Sequence, residues 1–152
     1  MTGLAYKAAL PNPLLEPLAV LIGEWETIGS HPYLPGITLH GRASFSWIDQ
    51  GAFLMLRSEN DEGKIPSGIS IFGSDDATGE LFMLYFDERK VSRKYEVSFH
   101  DKVLRWWRND PAFSQRFTCE ITHNDTMIAK GEMCKEGTIW EKDLELTYRR
   151  VN

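Results

Sequence analysis

The sequence predicts an all-β protein: a closed antiparallel barrel of ten strands with a short N-terminal plug helix. Three observations predict it. From Trp25 onward, turn-forming residues recur at about the 8–12-residue spacing of an all-β barrel or sandwich. Segments between them alternate between two faces, as in Val91 to Phe99, where Ser92, Lys94, Glu96 and Ser98 oppose Val91, Arg93, Tyr95, Val97 and Phe99. The last segment, running from Trp140 to Tyr148, ends in Arg149-Arg150, a cationic pair placed to return against Trp25 on the first strand. A sheet whose last strand comes back to its first is closed.

Residues 1–12 read as a loose lead-in. Asn12-Pro13, followed by Leu14, Leu15, Leu18, Val20 and Leu21, predicts one or two helical turns with Asn12 as cap and Pro13 in the first turn, and Pro17 limits their length. So short an apolar segment cannot stand alone. It is expected to plug one end of the barrel.

The predicted strands are Glu24 to Gly29, Ile37 to Ile48, Phe53 to Glu59, Gly68 to Phe72, Leu81 to Phe86, Val91 to Phe99, Val103 to Arg108, Phe113 to Thr122, Met127 to Lys135 and Thr138 to Arg149. Their connectors supply the expected turn chemistry, as in Asp49-Gln50-Gly51, Asn60-Asp61-Glu62-Gly63, Asp75-Asp76-Ala77-Thr78-Gly79, Asn124-Asp125 and Glu136-Gly137. One loop is different. Ser30 to Gly36 carries Pro32 and Pro35 and is expected to cross the barrel mouth.

A chain of 152 residues, 42% hydrophobic and 12% aromatic, fits one domain with a sizeable core. A net charge of −5 gives no general attraction to nucleic acid, and the nearest basic cluster, Lys90, Arg93 and Lys94, is diluted by Glu88 and Glu96. Pro11, Pro13 and Pro17 interrupt the N-terminal apolar region, and there is no run of about 18 apolar residues to span a bilayer. A soluble cytoplasmic protein without a membrane or nucleic-acid partner is expected. Cys119 and Cys134 fall several positions out of register across the hairpin centred on His123-Asn124-Asp125, so free buried thiols are expected.

Strand alternation points to the lumen. In Val91 to Phe99, Ser92, Lys94, Glu96 and Ser98 form a solvated face, which turns Arg93 and Tyr95 inward. Parity stays open in Leu81 to Asp87, which is apolar on both faces, and for Arg105/Trp107 against Leu104/Trp106 and Gln115/Phe117 against Arg116/Thr118. One apolar face then has to meet the helix, a loop or a second subunit, which makes a homodimer possible. In the last strand Trp140, Leu144, Leu146 and Tyr148 oppose Glu141, Asp143, Glu145 and Thr147; the acidic set is read as solvated, the alternative being that its carboxylates lie inside, paired with Arg57, Arg93 or Arg105 to offset desolvation.

Gly23-x-Trp25, the ten strands and Arg149-Arg150 resemble the calycin pattern of lipocalin-like and fatty-acid-binding-like barrels, where a first-strand tryptophan packs on a basic residue from the end of the last strand. The resemblance implies barrel-closing roles for Gly23, Trp25, Arg149 and Arg150. The chain also resembles an uncharacterised bacterial family of lipocalin-like domains, through Leu21-Ile22-Gly23-Glu24-Trp25, Phe45-Ser46-Trp47-Ile48-Asp49-Gln50-Gly51, Tyr85-Phe86-Asp87, Arg93-Lys94-Tyr95-Glu96, Phe113-Ser114-Gln115-Arg116-Phe117 and Trp140-Glu141-Lys142-Asp143. More distantly it resembles nitrobindin, a haem barrel; Gly23, Trp25 and Gly29 match that pattern and Thr27 departs from it. Asp143 and Glu145 stand where the haem-ligating histidine of such a barrel would lie, so no haem or other cofactor is expected.

No nucleophile elbow, phosphate loop, zinc-protease motif or dinucleotide fingerprint is present. His31 and His40 flank the Pro-rich loop with only Asp49 and Glu26 as nearby ligands, and His100 and His123 fall in turns, so no metal site is expected. The candidate binding residues are Met55, Arg57, Tyr85, Arg93, Tyr95, Arg105, Trp107, Gln115 and Phe117. They either fill the barrel as core or line a cavity for a small hydrophobic or amphipathic molecule whose carboxylate or carbonyl is oriented by Arg93 or Arg105 and Tyr95. Two alternatives stand beside that reading. One is a cofactor-free lyase or isomerase using Tyr85 or Tyr95, Arg93 and a carboxylate such as Glu141; the other is a dimerisation or interaction module with a filled barrel.

Overall fold

The computed structural model describes residues 9–151 apart from Glu62, Lys64, Asn124 and Thr138. Ten strands follow a 3-10 helix at Glu16–Leu21: β1 (Gly23–Ser30), β2 (Leu39–Ile48), β3 (Phe53–Asn60), β4 (Gly68–Ser74), β5 (Leu81–Asp87), β6 (Ser92–His100), β7 (Val103–Arg108), β8 (Phe113–His123), β9 (Thr126–Lys135) and β10 (Trp140–Arg150). Each pairs antiparallel with its neighbour in sequence, and β1 pairs with β10 to close the barrel. All ten predicted strands are present, with ends within two residues of expectation. Most of the expected lead-in, residues 1–8, lies outside the described residues, as do Glu62 and Asn124 of the predicted turns and Thr138 at the predicted start of the last strand.

The helix departs from its predicted start. Asn12 does not cap it: its Oδ1 accepts the Leu14 N–H at 3.0 Å in a local turn, and the helix opens at Glu16 with Pro17 in its first turn. A proline there loses no helical hydrogen bond, so Pro17 starts the segment that it was expected to end. Leu15, Leu18 and Leu21 are fully buried beneath the barrel, each stabilising the fold by about 1.5–3 kcal/mol. Above them pack Trp25, Phe45, Leu54, Phe72, Leu104 and Met127.

Closure at this base is specific. The Trp25 indole N–H donates to the Leu21 carbonyl at 3.0 Å. The Arg150 guanidinium lies 4.2 Å from the Trp25 ring centroid and donates to the carbonyls of Val20 (2.8 Å) and Ile22. Gly23, at φ 133°, makes the approach possible, since a Cβ there would sit 2.6 Å from the guanidinium. Of the two terminal arginines, Arg150 is thus the closing residue, while Arg149 is exposed opposite Glu26.

The strands that are apolar on both faces resolve simply. Leu81 and Tyr85 share the parity of the buried Met83, whereas Leu84 and Phe86 stand exposed outside. Met55 pairs with Ile71 and Ile71 with Leu84, so this outer apolar row crosses β3, β4 and β5. Neither cysteine forms a disulfide and both are buried, and burial pushes the Cys119 thiol up to about 12. Among the described residues no helix is long and apolar enough to cross a membrane.

Arg150→Ala is expected to destabilise the protein by about 1–3 kcal/mol, through loss of the cation–π contact and of charge-assisted bonds to two carbonyls. The midpoint of urea unfolding measures it, and Arg150→Lys, which keeps the charge but not the two-carbonyl fork, should recover only part.

Candidate functional site

Above the base the lumen opens into a cavity of about 460 Å³. Its apolar wall includes Ala43, Leu56, Met83, Trp106, Phe117 and Met133, with the Trp106 and Phe117 rings stacked at 5.2 Å. The mouth is bordered by His31, Tyr33 and Leu34, from the loop expected to cross it, together with Pro66, Arg89 and Lys135. A volume of this size is within the range of small-molecule sites, so the barrel is not filled by its own side chains.

One irregularity in β10 determines the polar side of this cavity. The β9–β10 register shifts between Lys142, opposite Glu132, and Glu145, opposite Lys130. Asp143 and Leu144 therefore share the place opposite Gly131, and the extra residue forms a bulge that turns Asp143 inward. Gly131 is required at the same spot: a Cβ there would lie 2.2 Å from the Phe117 ring.

Asp143 is 6% exposed and fully engaged. Its Oδ1 accepts from His31 Nε2 at 3.1 Å and from the Leu144 N–H at 2.7 Å. Its Oδ2 accepts from Gln115 Nε2 at 2.9 Å. Gln115 Oε1 in turn accepts from the Tyr95 hydroxyl at 2.5 Å and from Arg93 at 3.2 Å. His31 Nδ1 accepts the Tyr33 N–H at 3.0 Å, so the ring proton is assigned to Nε2 and the imidazole is neutral. Every proton in this chain points toward Asp143.

A second group runs parallel to it. Tyr85 donates to Asp87 Oδ2 at 2.6 Å, and Arg89 holds the same oxygen through Nη2 at 2.7 Å and the carboxylate again through Nε at 3.2 Å. Burial pushes the Asp87 carboxyl up, but the bonds from Arg89 and Tyr85 outweigh it and hold it at about 2. Burial, then the neighbouring carboxylate, raises the Tyr85 hydroxyl well above the ordinary phenol range. Burial raises Tyr95 too, against the lowering field of Arg93. The two tyrosine rings meet edge to face at 6.4 Å.

Of the candidate binding residues, Tyr85, Arg93, Tyr95, Gln115 and Phe117 line the cavity together. Met55, Arg57, Arg105 and Trp107 do not. In β3 the buried residues are Leu54 and Leu56, which puts Met55 and Arg57 on the outer face. In β7 the buried Leu104 sets the parity, so Trp106 enters the lumen and Arg105 and Trp107 border an outer groove, beside Arg116 stacked at 3.9 Å on Trp140. The acidic set of β10 is split: Glu141 is exposed and Glu145 faces outward as expected, while the bulge carries Asp143 inside and leaves Trp140 outside. His31, Asp143 and Tyr148 are cavity residues that sequence reasoning did not select. Tyr148 was legible in the parity it shares with Leu146, whereas a bulge has no comparable sequence signal.

His31 is the histidine of the cavity lining among the described residues, and both of its ring nitrogens are hydrogen-bonded. Among the described residues no three histidine, cysteine or acidic side chains gather as a metal-binding group.

A closed ten-stranded barrel, plugged at one end and hollow at the other, defines a calycin-like fold. No family model matches the chain, and no curated protein matches it. Solved structures do. Rv2717c from M. tuberculosis superposes with a TM-score of 0.68 at 13% identity, covering 95% of this chain and 100% of that one. A protein of unknown function of the DUF3598 family from Nostoc punctiforme gives 0.54 at 12% identity, covering 88% of this chain and 48% of its own length. The S-type phycobiliprotein lyase CPES from Guillardia theta gives 0.52 at 10% identity, covering 90% and 92%. At these identities the likeness is one of fold.

The Asp87 cluster carries a pH signature. A folded carboxyl at about 2 against an unfolded value near 3.8 stabilises the fold above about pH 4, by about 2 kcal/mol, and that contribution is lost as pH falls toward 2. Asp87→Asn is therefore expected to lower stability at pH 5.5, with the gap from wild type narrowing by pH 2.5. Denaturant melts at the two pH values provide the test; a constant gap would show that the loss is one of packing.

Proposed function

We propose that the protein binds a small hydrophobic or amphipathic molecule, non-covalently, in the barrel lumen. The cavity itself carries the reading: about 460 Å³ with apolar wall residues such as Ala43, Leu56, Met83, Phe117 and Met133, and a hydrogen-bonded polar cluster around Tyr95, Gln115 and Asp143. Apolar walls with polar groups held in fixed positions are the common form of a ligand site. Arg93 retains N–H groups beyond the one given to Gln115 and stands over the Phe113 ring at 5.4 Å, so it is the proposed anchor for the ligand's polar end. The network is held by its own hydrogen bonds, and a ligand entering it need not reorganise the wall.

The acid–base reading is less well supported by the geometry. Glu141, its proposed carboxylate, is exposed, and Tyr85 and Tyr95 are committed donors with pKa values raised by burial, which makes them poor bases near neutrality.

Native mass spectrometry of the purified protein, followed by thermal shifts across fatty acids, aromatic acids, terpenoids and haem, tests the proposal. Ala43→Phe places a ring in the cavity at a cost of about 1–3 kcal/mol to the fold, and is expected to abolish any ligand-induced shift while the circular dichroism spectrum stays native. A shift that survives the substitution would place the ligand elsewhere.

A further inference from the structure

Resting on that binding site, we infer that the lumen selects an uncharged ligand, an apolar molecule bearing a hydroxyl or carbonyl, over its carboxylate counterpart. Two independent features of the wall carry this. The first is the disposition of charge. Arg89 is paired with Asp87. Arg93 reaches the buried Asp143 through the single amide of Gln115, which accepts from the one and donates to the other. Arg108, whose field reaches Tyr95, is paired with Asp110 at 3.5 Å. Arg42 and Lys135 are exposed at the rim, the first 3.5 Å from Glu59 and the second against Tyr33 and within the field of Glu141. His31 is neutral by its hydrogen bonds. Arg42, Arg89, Arg108 and Lys135 thus each have an acidic neighbour, while Arg93 has no carboxylate in direct contact and is coupled to Asp143 only through Gln115. Arg93 is the cation a ligand carboxylate would meet, but Asp143 already balances its charge through Gln115, so the carboxylate would leave the wall with a net negative charge, and desolvating such a charge is costly.

The second feature is the set of polar groups left facing the cavity. Thr27, Ser70 and Tyr148 line it and are 7%, 5% and 6% exposed. No described residue hydrogen-bonds to any of their three hydroxyls, and none of these oxygens is sealed within the protein. Thr27 and Tyr148 are direct cross-strand partners on β1 and β10, so two of the hydroxyls belong to one stretch of wall. Burial raises the Tyr148 pKa, which keeps it a donor. Neutral hydroxyls are the complement of a ligand hydroxyl or carbonyl, and buried groups of this kind are normally satisfied.

A matched series tests it: dehydroabietane, dehydroabietinol, dehydroabietamide and dehydroabietic acid, one three-ring skeleton in four states, titrated into the whole protein at pH 7.5 with intrinsic tryptophan fluorescence as readout. The alcohol and amide are expected to bind about ten-fold more tightly than the acid. Tyr148→Phe and, separately, Thr27→Val should weaken the alcohol about three- to ten-fold, the worth of one hydrogen bond, and leave the hydrocarbon unchanged. The acid binding most tightly, with Arg93→Met removing its advantage, would overturn the inference and leave the binding site standing. Binding by none of the four would overturn the site and the inference with it.

Discussion

The fold depends on the meeting of β1 and β10. Nine of the barrel's seams join strands that are neighbours in sequence, which turns of a few residues bring together; the tenth joins the two ends of the sheet. At that seam Arg150 spans three elements, lying on the Trp25 ring while donating to carbonyls at the end of the plug helix. The carbonyls it takes are ones that a short helix leaves without an internal partner. One side chain therefore closes the sheet, terminates the helix and covers the first-strand tryptophan. With the edge strands joined, the barrel exposes no unpaired sheet edge along this seam.

The strand that closes the barrel also shapes its site. Near its C-terminal end β10 is regular, with Leu146 and Tyr148 directed inward; nearer the mouth the bulge resets its alternation. Without the extra residue, Asp143 would lie with Glu145 on the solvated face. Turned inward it is a buried carboxylate, and the structure meets that cost with three donors drawn from different places: His31 from the mouth loop, Gln115 from β8 and the Leu144 amide beside it. The loop crossing the mouth is tied to the wall through the same carboxylate, so mouth and lumen share one network.

How much of this was legible in the sequence follows from particular residues. β6 could be read because Ser92, Lys94, Glu96 and Ser98 form an unbroken polar face, and Arg93 and Tyr95 were placed inside on that basis. β3 and β7 could not be read in the same way. Leu54-Met55-Leu56 is apolar at every position, and Arg105-Trp106-Trp107 places large side chains on both faces, so only packing against the rest of the core decides which face turns inward. A shift of one residue exchanges every side chain between faces. The bulge was illegible for a related reason. It is created by the register between two strands, and the residues that permit it, Gly131 under the Phe117 ring among them, are informative only once the pairing is known.

The barrel is chemically divided along its axis. At the base a tryptophan, leucines and a methionine pack as a fully buried core. At the mouth, Tyr85 and Tyr95 each give their proton to a chain ending in a carboxylate, and Arg89 and Arg93 complete the two groups. The hydroxyl-bearing side chains of Thr27, Ser70 and Tyr148 line the same cavity. Most of the wall's charges engage one another, which holds the side chains around them in place. Arg93, whose bond is to the neutral Gln115, and the hydroxyls of the wall are the groups with bonding capacity to spare.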